Sequence, residues 1–166
     1  MTTTEPPTRS AGRTRALVAV VALLVAALDL AVKAWAEITL PGNPIDLGPL
    51  DLRLTFNSGV AFSLGDSLPA AVVVAVTGAI VAGIVVYAWR SAPSLDVLTG
   101  LGLGAVLGGA VANLLDRARD GAVTDYLHNG WFATFNLADT GITLGAALMI
   151  LAALRNDRRA KTATTT

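Results

Sequence analysis

Two aspartates in the C-terminal half of the chain have surroundings suited to acid–base chemistry. Asp139 precedes 15 uncharged residues, so we expect it about one turn inside an apolar helix, where an ionisable residue indicates function. Asp125 lies 14 residues earlier, in the loop that leads into the same helix. Two carboxyl groups in a partly apolar site do not both ionise easily, and we expect one to hold a proton at neutral pH. One carboxylate can then activate water while the other carboxyl protonates the scissile group, which suffices for peptide hydrolysis without a metal or a covalent intermediate.

Both aspartates also have purely structural interpretations. Asp139 would instead form a helix-to-helix ion pair, with Lys33 or Arg117 as its partner. Asp125, taken alone, is typical of a solvated loop. A serine nucleophile at Ser58, activated by Lys33, would be a different hydrolytic chemistry, but no spacing in the sequence favours it.

Two further charge pairs stand near the same helix ends. Asp29 and Lys33 are four residues apart and share a helix face, and we interpret them as an interfacial ion pair that anchors the first helix. Asp116 and Arg117 are either a charge pair at a helix end or a support for the active site.

The composition excludes several classes of protein. The chain has no cysteine and one histidine, so disulfide scaffolds, thiol nucleophiles, Cys-type zinc sites and iron–sulfur clusters are excluded. A Ser-His-Asp triad would have to use His128. The formal net charge of zero gives no field for nucleic acid. We expect no cofactor, no metal and no nucleic-acid partner.

The hydropathy indicates a membrane protein. Residues of the AVILMFWYC set make up 54% of the 166 residues, and charged residues make up 14%. A soluble domain of this size could not bury so much apolar surface. Four stretches reach or approach the length of about 20 residues that a transmembrane helix needs, namely Ala16–Leu28 with its continuation to Trp35, Leu68–Trp89, Val97–Leu115 and Trp131–Leu154. The first stretch also resembles a cleaved signal peptide, but Asp29 and Lys33 would interrupt that pattern, and we expect it to be retained.

The lysines and arginines predict the orientation of the four helices. The side that holds both termini and the Arg90–Asp96 loop carries eight of them, and the opposite side carries four. The positive-inside rule therefore places both termini in the cytoplasm. We expect disordered tails over 1–14 and 156–166 and a single membrane domain over 15–155.

This topology brings the polar residues of all four helices to the extracytoplasmic leaflet, while the inner halves of the helices are almost purely apolar. Polar residues without a function would be scattered along the helices rather than collected at one depth. The predicted members of this plane are Asp29, Lys33, Asn57, Ser58, Asn113, Asp116, Arg117, Asn136 and Asp139.

The first outer loop and the third helix each contain a regular pattern. Leu50, Leu52, Leu54 and Phe56 alternate with polar residues, which predicts a half-buried strand within a β-element over about 37–64. In the third helix Gly100, Gly104 and Gly108 recur at four-residue spacing, which indicates close helix packing rather than a phosphate loop. The fold class predicted is an all-α membrane protein of four helices with this small β-element between helices 1 and 2.

The order of the polar motifs resembles that of lipoprotein signal peptidase, also called signal peptidase II. The resemblance runs from about Asp29 to Asp139. It rests on the D-x-x-x-K of Asp29 and Lys33, and on the segments Asn57–Phe62, Gly108–Arg117, Val123–Tyr126 and Phe135–Thr140. Each segment alone is a weak signal, but the five in this order are strong.

The resemblance implies a bacterial membrane aspartyl protease that cuts the signal peptide from prolipoproteins before the diacylglyceryl-modified cysteine. It implies Asp125 and Asp139 as the catalytic dyad, with Asn57, Asn113, Arg117 and Asn136 in support. Its implied partners are the lipid-modified prolipoprotein and the membrane lipid. Three positions depart mildly from the family pattern: Ala112 in place of glycine, Tyr126 in place of phenylalanine and Thr140 in place of serine.

Two other classes of function remain as alternatives. A small proton-coupled transporter or channel subunit would use Asp139 as a proton carrier, but it should show polar groups through both leaflets or inverted repeats. A structural four-helix scaffold would not require carboxylates at one depth.

Overall fold

The computed structural model describes residues 11–58 and 69–164, with side chains described to residue 162. Four helices and three strands follow in the order α1 Ala11–Thr39, β1 Ile45–Asp46, β2 Asp51–Asn57, α2 Ala70–Ser91, α3 Val97–Asp120, β3 Val123–His128 and α4 Leu137–Thr164. All four helices are long and apolar enough to cross a membrane. The predicted four-helix fold with a small β-element is therefore confirmed.

The helix bounds differ from those predicted at both ends of the chain. The helix α1 begins at Ala11, and α4 continues to Thr164, where the sequence predicted disordered tails. Two contacts, each between residues one turn apart, stabilise the end of α4. Lys161 pairs with Asp157 at 2.9 Å, and the Thr162 hydroxyl donates to the Arg158 carbonyl.

Glycines allow α3 to lie closely against two neighbouring helices. A Cβ on Gly104 would lie 2.9 Å from the Val18 carbonyl oxygen of α1, and one on Gly108 would lie 2.5 Å from that of Ala22. A Cβ on Gly102 would lie 2.6 Å from the Gly145 carbonyl oxygen of α4. The predicted role of the glycine spacing in helix packing is confirmed, and α3 becomes the central helix that carries Asn113 into the protein.

The helix α3 has clear sequence signals at both ends. The Asp96 carboxylate caps its start by accepting from the Thr99 backbone N–H. Gly121 ends it in the left-handed conformation, at φ 77°, and donates its N–H to the Arg117 carbonyl. This ending directs the chain into β3 within three residues.

The three strands form one antiparallel sheet in the order β1-β2-β3. In its register Thr55 of β2 lies opposite Asp125 of β3. Within the predicted β-element, the strands over Ile45–Asp46 and Asp51–Asn57 are present, whereas residues 59–64 lie outside the described part of the chain. The third strand was not predicted, so the assignment of Asp125 to a loop is wrong.

The chain returns directly from β3 to the start of α4. Leu127 and Phe135 exchange backbone hydrogen bonds of 2.8 and 2.9 Å, and Tyr126 N–H also donates to the Phe135 carbonyl. This closure brings the residues that follow Phe135 beside β3.

Candidate active site

Asp125 lies buried on β3, and its two carboxylate oxygens accept hydrogen bonds from two amide side chains. Asn136 Nδ2 donates to Oδ1 at 2.7 Å, and Asn57 Nδ2 donates to Oδ2 at 3.1 Å. Burial raises the pKa of Asp125 to about 6, and the charge of Asp139 acts in the same direction against the two amide bonds. Asp125 is therefore half protonated at about pH 6, where an ordinary aspartate is ionised.

Asp139 is held in the first turn of α4 by a reciprocal cap. Asn136, the residue before the helix, accepts from the Asp139 backbone N–H through its Oδ1 at 2.9 Å. Asp139 Oδ2 in turn accepts from the Asn136 backbone N–H at 3.4 Å. This is the capping-box arrangement, with an aspartate at the third helical position. The cap fixes the carboxyl group of Asp139 at the helix end where negative charge is favourable.

Asn136 connects the carboxyl group of Asp125 to the backbone of Asp139 through one buried side chain. Its Nδ2 donates to Asp125, while its Oδ1 accepts from the backbone of Asp139. Because both ends of the amide are used, its orientation is fixed by its partners. Asn136 therefore holds β3 and the start of α4 in one geometry.

Lys33 determines which end of the Asn113 amide faces Asp139. Lys33 Nζ donates to Asn113 Oδ1 at 2.7 Å, so Asn113 Nδ2 is directed to Asp139 Oδ1 at 2.8 Å. An ammonium group can only donate, so it does not accept the reversed amide. Lys33 thus orients a donor toward the second carboxyl group although it does not contact that group itself.

Asp29 and Asp116 bind the backbone immediately before each of the two aspartates. Asp29 Oδ1 accepts from Ala138 N–H at 2.9 Å, and Asp116 Oδ2 accepts from Thr124 N–H at 2.6 Å. Lys33 forms an ion pair with each of these carboxylates, at 2.9 Å from Asp29 and 3.3 Å from Asp116.

These contacts correct three structural interpretations of the sequence. Lys33 pairs with Asp29 and Asp116 rather than with Asp139, and Asp116 pairs with Lys33 rather than with Arg117. The predicted Asp29–Lys33 pair is present, but it is not confined to α1, because Lys33 also pairs with Asp116; the side chains of Asp29 and Lys33 are 0% and 2% exposed. The physical reason is that a buried lysine requires compensating charge, which two helices supply together.

Arg117 stands beside the paired carboxyl groups without a direct ion pair. It interacts electrostatically with Asp125, Asp139 and Asp116, yet within the described residues none of these carboxylates lies within 4 Å of it. Its Nε is buried and makes no hydrogen bond. Arg117 therefore has donor capacity available to a group that enters the site.

The sequence interpretation missed three residues that stabilise this region. The Tyr126 hydroxyl accepts from Leu137 N–H at 3.1 Å and donates to Asp29 at 3.5 Å. Burial raises the pKa of the Tyr126 hydroxyl far above its usual value, so it stays protonated. Thr124 donates its hydroxyl to Glu37 at 2.8 Å, and Glu37 also pairs with Arg119. The only signal for Tyr126 was its departure from the family pattern, and Thr124 and Glu37 had none.

A groove of about 360 Å³ opens beside Asp139. It is lined mainly by apolar and aromatic side chains, with Asp139 as its charged wall residue: Trp131, Phe132, Phe135, Leu144, Asn129, Thr140 and Thr143 complete the lining. An extended apolar ligand that bound in this groove would lie next to the Asp139 carboxyl group.

One group of acids approaches the geometry of a metal site. Glu37, Asp116 and Asp120 are the only such group found in the described ranges. Each of them already pairs with a cation, because Arg119 contacts Glu37 and Asp120 and Lys33 contacts Asp116. Glu37 joins α1 to α3 and β3, and Asp116 joins α3 to β3 and α1.

Together, the fold and the site define a multi-pass membrane protein in which two aspartates, Asp125 and Asp139, interact electrostatically. The comparisons with known proteins assign the family. The family model described as Signal peptidase (SPase) II matches residues 21–155. The lipoprotein signal peptidase of Bartonella tribocorum is 39% identical over 145 residues, which cover 83% of this chain and 86% of that protein. That of Brucella ovis is 40% identical over 137 residues, covering 79% and 85%.

Two solved structures, each described as a bacterial membrane enzyme, share the fold. Their TM-scores are 0.75 and 0.73 at 23% and 24% identity. They cover 84% and 82% of this chain, and the matches span 88% and 92% of those chains. The chain belongs to the signal peptidase II family of aspartic peptidases. Its activity is that of a lipoprotein signal peptidase, which cleaves the signal peptides of prolipoproteins, and the transporter alternative is set aside.

Proposed function

We propose that Asp125 and Asp139 are the catalytic dyad of this peptidase. The observation that carries the proposal is the single buried amide of Asn136, which donates to Asp125 and accepts from the backbone of Asp139. Two carboxyl groups held together in this way, one of them with a raised pKa, have the properties that an acid and a base need at the same pH.

In the proposed reaction Asp139 is the base and Asp125 the acid. Asp139 removes a proton from a water molecule as the water oxygen bonds to the scissile carbonyl carbon. Asp125 gives its proton to the carbonyl oxygen, which yields a neutral tetrahedral diol. The C–N bond then breaks as Asp139 returns its proton to the leaving nitrogen and Asp125 recovers one from the diol. Both carboxyl groups end in their starting protonation states, as a catalytic cycle requires.

Asn113 and Arg117 would support this reaction in different ways. Asn113 donates to Asp139 Oδ1 and would orient that carboxyl group before water attacks. Arg117 has a buried donor without a partner and would bind a substrate carbonyl oxygen beside the dyad. Asn57 and Asn136 orient Asp125.

We further propose that the substrate is the diacylglyceryl-modified prolipoprotein, cut before its lipidated cysteine. A membrane-anchored substrate can approach an apolar groove from the lipid, and the groove lined by Trp131, Phe135 and Leu144 leads to Asp139. Membrane lipid is then the second partner of the enzyme.

The proposed location is the bacterial cytoplasmic membrane, with both termini in the cytoplasm and the dyad at the extracytoplasmic surface. The eight-to-four distribution of lysine and arginine supports this orientation. Reporter fusions at Arg90 and Thr162 should give cytoplasmic signals, and a fusion near Asn43 should give an external one. A cytoplasmic signal near Asn43 would contradict the orientation.

The dyad is tested by Asp125→Asn and Asp139→Asn in purified protein. Each variant should lose cleavage of a lipidated prolipoprotein almost completely, because asparagine cannot exchange the proton. An acid–base step contributes about 10²–10⁴-fold, and groups that act as a unit fail together. The measurement is gel-shift cleavage, with thermal unfolding to exclude misfolded protein.

Ser58→Ala and His128→Ala are the matched controls for other hydrolytic mechanisms. Both should retain substantial cleavage, because a carboxyl dyad requires neither a covalent nucleophile nor an imidazole base. Near-normal turnover in a dyad variant would end the assignment. Complete loss in a folded Ser58→Ala protein would instead support the serine nucleophile.

A further inference from the structure

A basic cavity lies at the end of the helix bundle opposite the paired carboxyl groups. It has a volume of about 240 Å³ and lies between the start of α3 and the late turns of α4. Arg155 and Arg159, one helical turn apart, line one wall, and Val97, Leu98 and Ala152 supply apolar surface.

Both carboxylate oxygens of Asp96, the acidic residue of this cavity, already accept hydrogen bonds. Asp96 Oδ1 accepts from Thr99 N–H at 2.7 Å, and its Oδ2 accepts from Asn156 Nδ2 at 2.8 Å. These hydrogen bonds lower the pKa of Asp96, so it carries a negative charge at neutral pH. Two arginines against one aspartate leave the cavity with a net positive charge.

Neither arginine has an acidic partner in the part of the chain that the structure describes. The ion pairs found there involve Lys33, Arg119 and Lys161, and the acid nearest in sequence, Asp157, pairs with Lys161. The guanidinium groups of Arg155 and Arg159 are therefore available to an anion, and their planar forks suit phosphate oxygens.

The position of the cavity along the helices indicates which kind of anion it would meet. Val97 begins one apolar span, and Arg155 and Arg159 follow the last apolar residues of another. This is the depth at which phospholipid headgroups meet the hydrocarbon region. Basic cavities between membrane helices on the cytoplasmic side are suited to anionic headgroups.

We propose that this cavity binds the phosphate of an anionic phospholipid headgroup, with Arg155 and Arg159 as its ligands. The apolar wall of Val97, Leu98 and Ala152 contacts the beginning of the lipid's acyl chains. The site is separate from the peptidase chemistry and does not depend on which residues form the dyad. It lies in the inner leaflet if the proposed orientation holds.

The test compares two double variants of the full-length protein that lose the same charge from the same end. Arg155→Gln/Arg159→Gln removes both cavity arginines, and Arg90→Gln/Arg158→Gln removes two exposed arginines that do not line the cavity. Native mass spectrometry in detergent measures binding of phosphatidylglycerol, phosphatidylcholine or inorganic phosphate. Thermal unfolding without lipid checks that both variants fold, and the single variant Arg159→Gln replaces the cavity double variant if that one does not.

We expect phosphatidylglycerol to bind the unmodified protein and the Arg90/Arg158 variant with equal affinity. Loss of both cavity arginines should weaken that binding on the order of 30-fold. Three results would overturn the proposal: equal weakening in both double variants, equal binding of phosphatidylcholine, or binding of inorganic phosphate as tight as that of the lipid. The last result would identify a site for free anions.

Discussion

Replacing Asp125 by asparagine should stabilise the folded protein at alkaline pH while removing its activity. Burial raises the pKa of Asp125 from an ordinary 3.8 to about 6, so folding takes up a proton between these values. The folded state consequently loses stability as the pH rises from about 4 through about 6. The loss reaches about 3 kcal/mol above that range, at about 1.4 kcal/mol for each unit of the pKa shift.

An altered hydrogen bond of the asparagine side chain offsets part of this stabilisation. Its Nδ2 must replace one carboxylate oxygen, and the oxygen that faces Asn57 is the less costly one, because the hydrogen bond from Asn57, at 3.1 Å, is longer than that from Asn136. The stronger bond from Asn136 at 2.7 Å then remains. One altered hydrogen bond costs about 1 kcal/mol, so we expect a net stabilisation of about 2 kcal/mol at pH 8. At pH 4 the two proteins should unfold at nearly the same temperature.

The assay is thermal unfolding in detergent between pH 4 and pH 8, followed by tryptophan fluorescence. For a chain of this length, about 2 kcal/mol corresponds to a rise of about 4–8 °C in the unfolding temperature. Asp46→Asn, on the exposed strand β1, is the control for losing a carboxyl group outside the buried site. An Asp125→Asn protein that unfolds below the unmodified protein at pH 8, or a difference that does not change with pH, would refute the reasoning.

Two further predictions concern the packing and charge around the site. Gly108→Ala should lower the free energy of unfolding by about 1–3 kcal/mol, because its Cβ would lie 2.5 Å from the Ala22 carbonyl oxygen. Thermal unfolding measures this change. The control Gly83→Ala, whose Cβ would have no atom of another part of the protein within 4 Å, should be neutral. Equal effects of the two glycine substitutions would contradict the packing argument. Lys33→Met should lower stability by about 3–5 kcal/mol and reduce kcat, because it leaves two buried carboxylates unpaired and releases the Asn113 amide. Lys161→Met, which removes an exposed pair, should cost no more than about 0.5 kcal/mol, and a similarly small effect at Lys33 would contradict the proposed role.

The helices could be predicted from the sequence because each depends on a local property. The length and hydropathy of a span are read from one continuous segment, and end signals such as Asp96 and Gly121 are read from a few residues. The observed helices agree with both. The plane of polar residues was predictable for the same reason, since it follows from helix direction alone. Hydrogen bonds bring three of these residues, Lys33, Asn113 and Asp139, together, and the side of the membrane that they face stays a prediction.

The strand β3 was not predictable by the same means. The first four of its residues, Val123–Tyr126, are all buried, so the alternation that identifies a half-exposed strand is absent. Its partner β2 lies more than 60 residues away, and no turn signal connects the two. The strand is specified by long-range pairing and by side chains such as Thr124 that contact α1.

The partners of the buried charges were also beyond prediction. The i,i+4 relation fixed only the pair within α1, Asp29 with Lys33. Pairing across helices depends on how each helix is rotated about its axis, which a single sequence does not give. Backbone groups such as the N–H of Ala138 and of Thr124 carry no signal at all, although they are what Asp29 and Asp116 bind.

These contacts give the buried lysine a role in the geometry of the whole site. Asp29 holds the residue before Asp139, and Asp116 holds the residue before Asp125. Lys33 pairs with both acids, so one cation connects the two anchors that hold the backbone before each aspartate. Asp29, Lys33 and Asp116 are buried, so bulk water cannot easily replace a missing partner, and a partly satisfied cluster of these groups would be unstable. The contacts among Lys33, Asp29 and Asp116 must therefore form together for the backbone before each aspartate to be held in place.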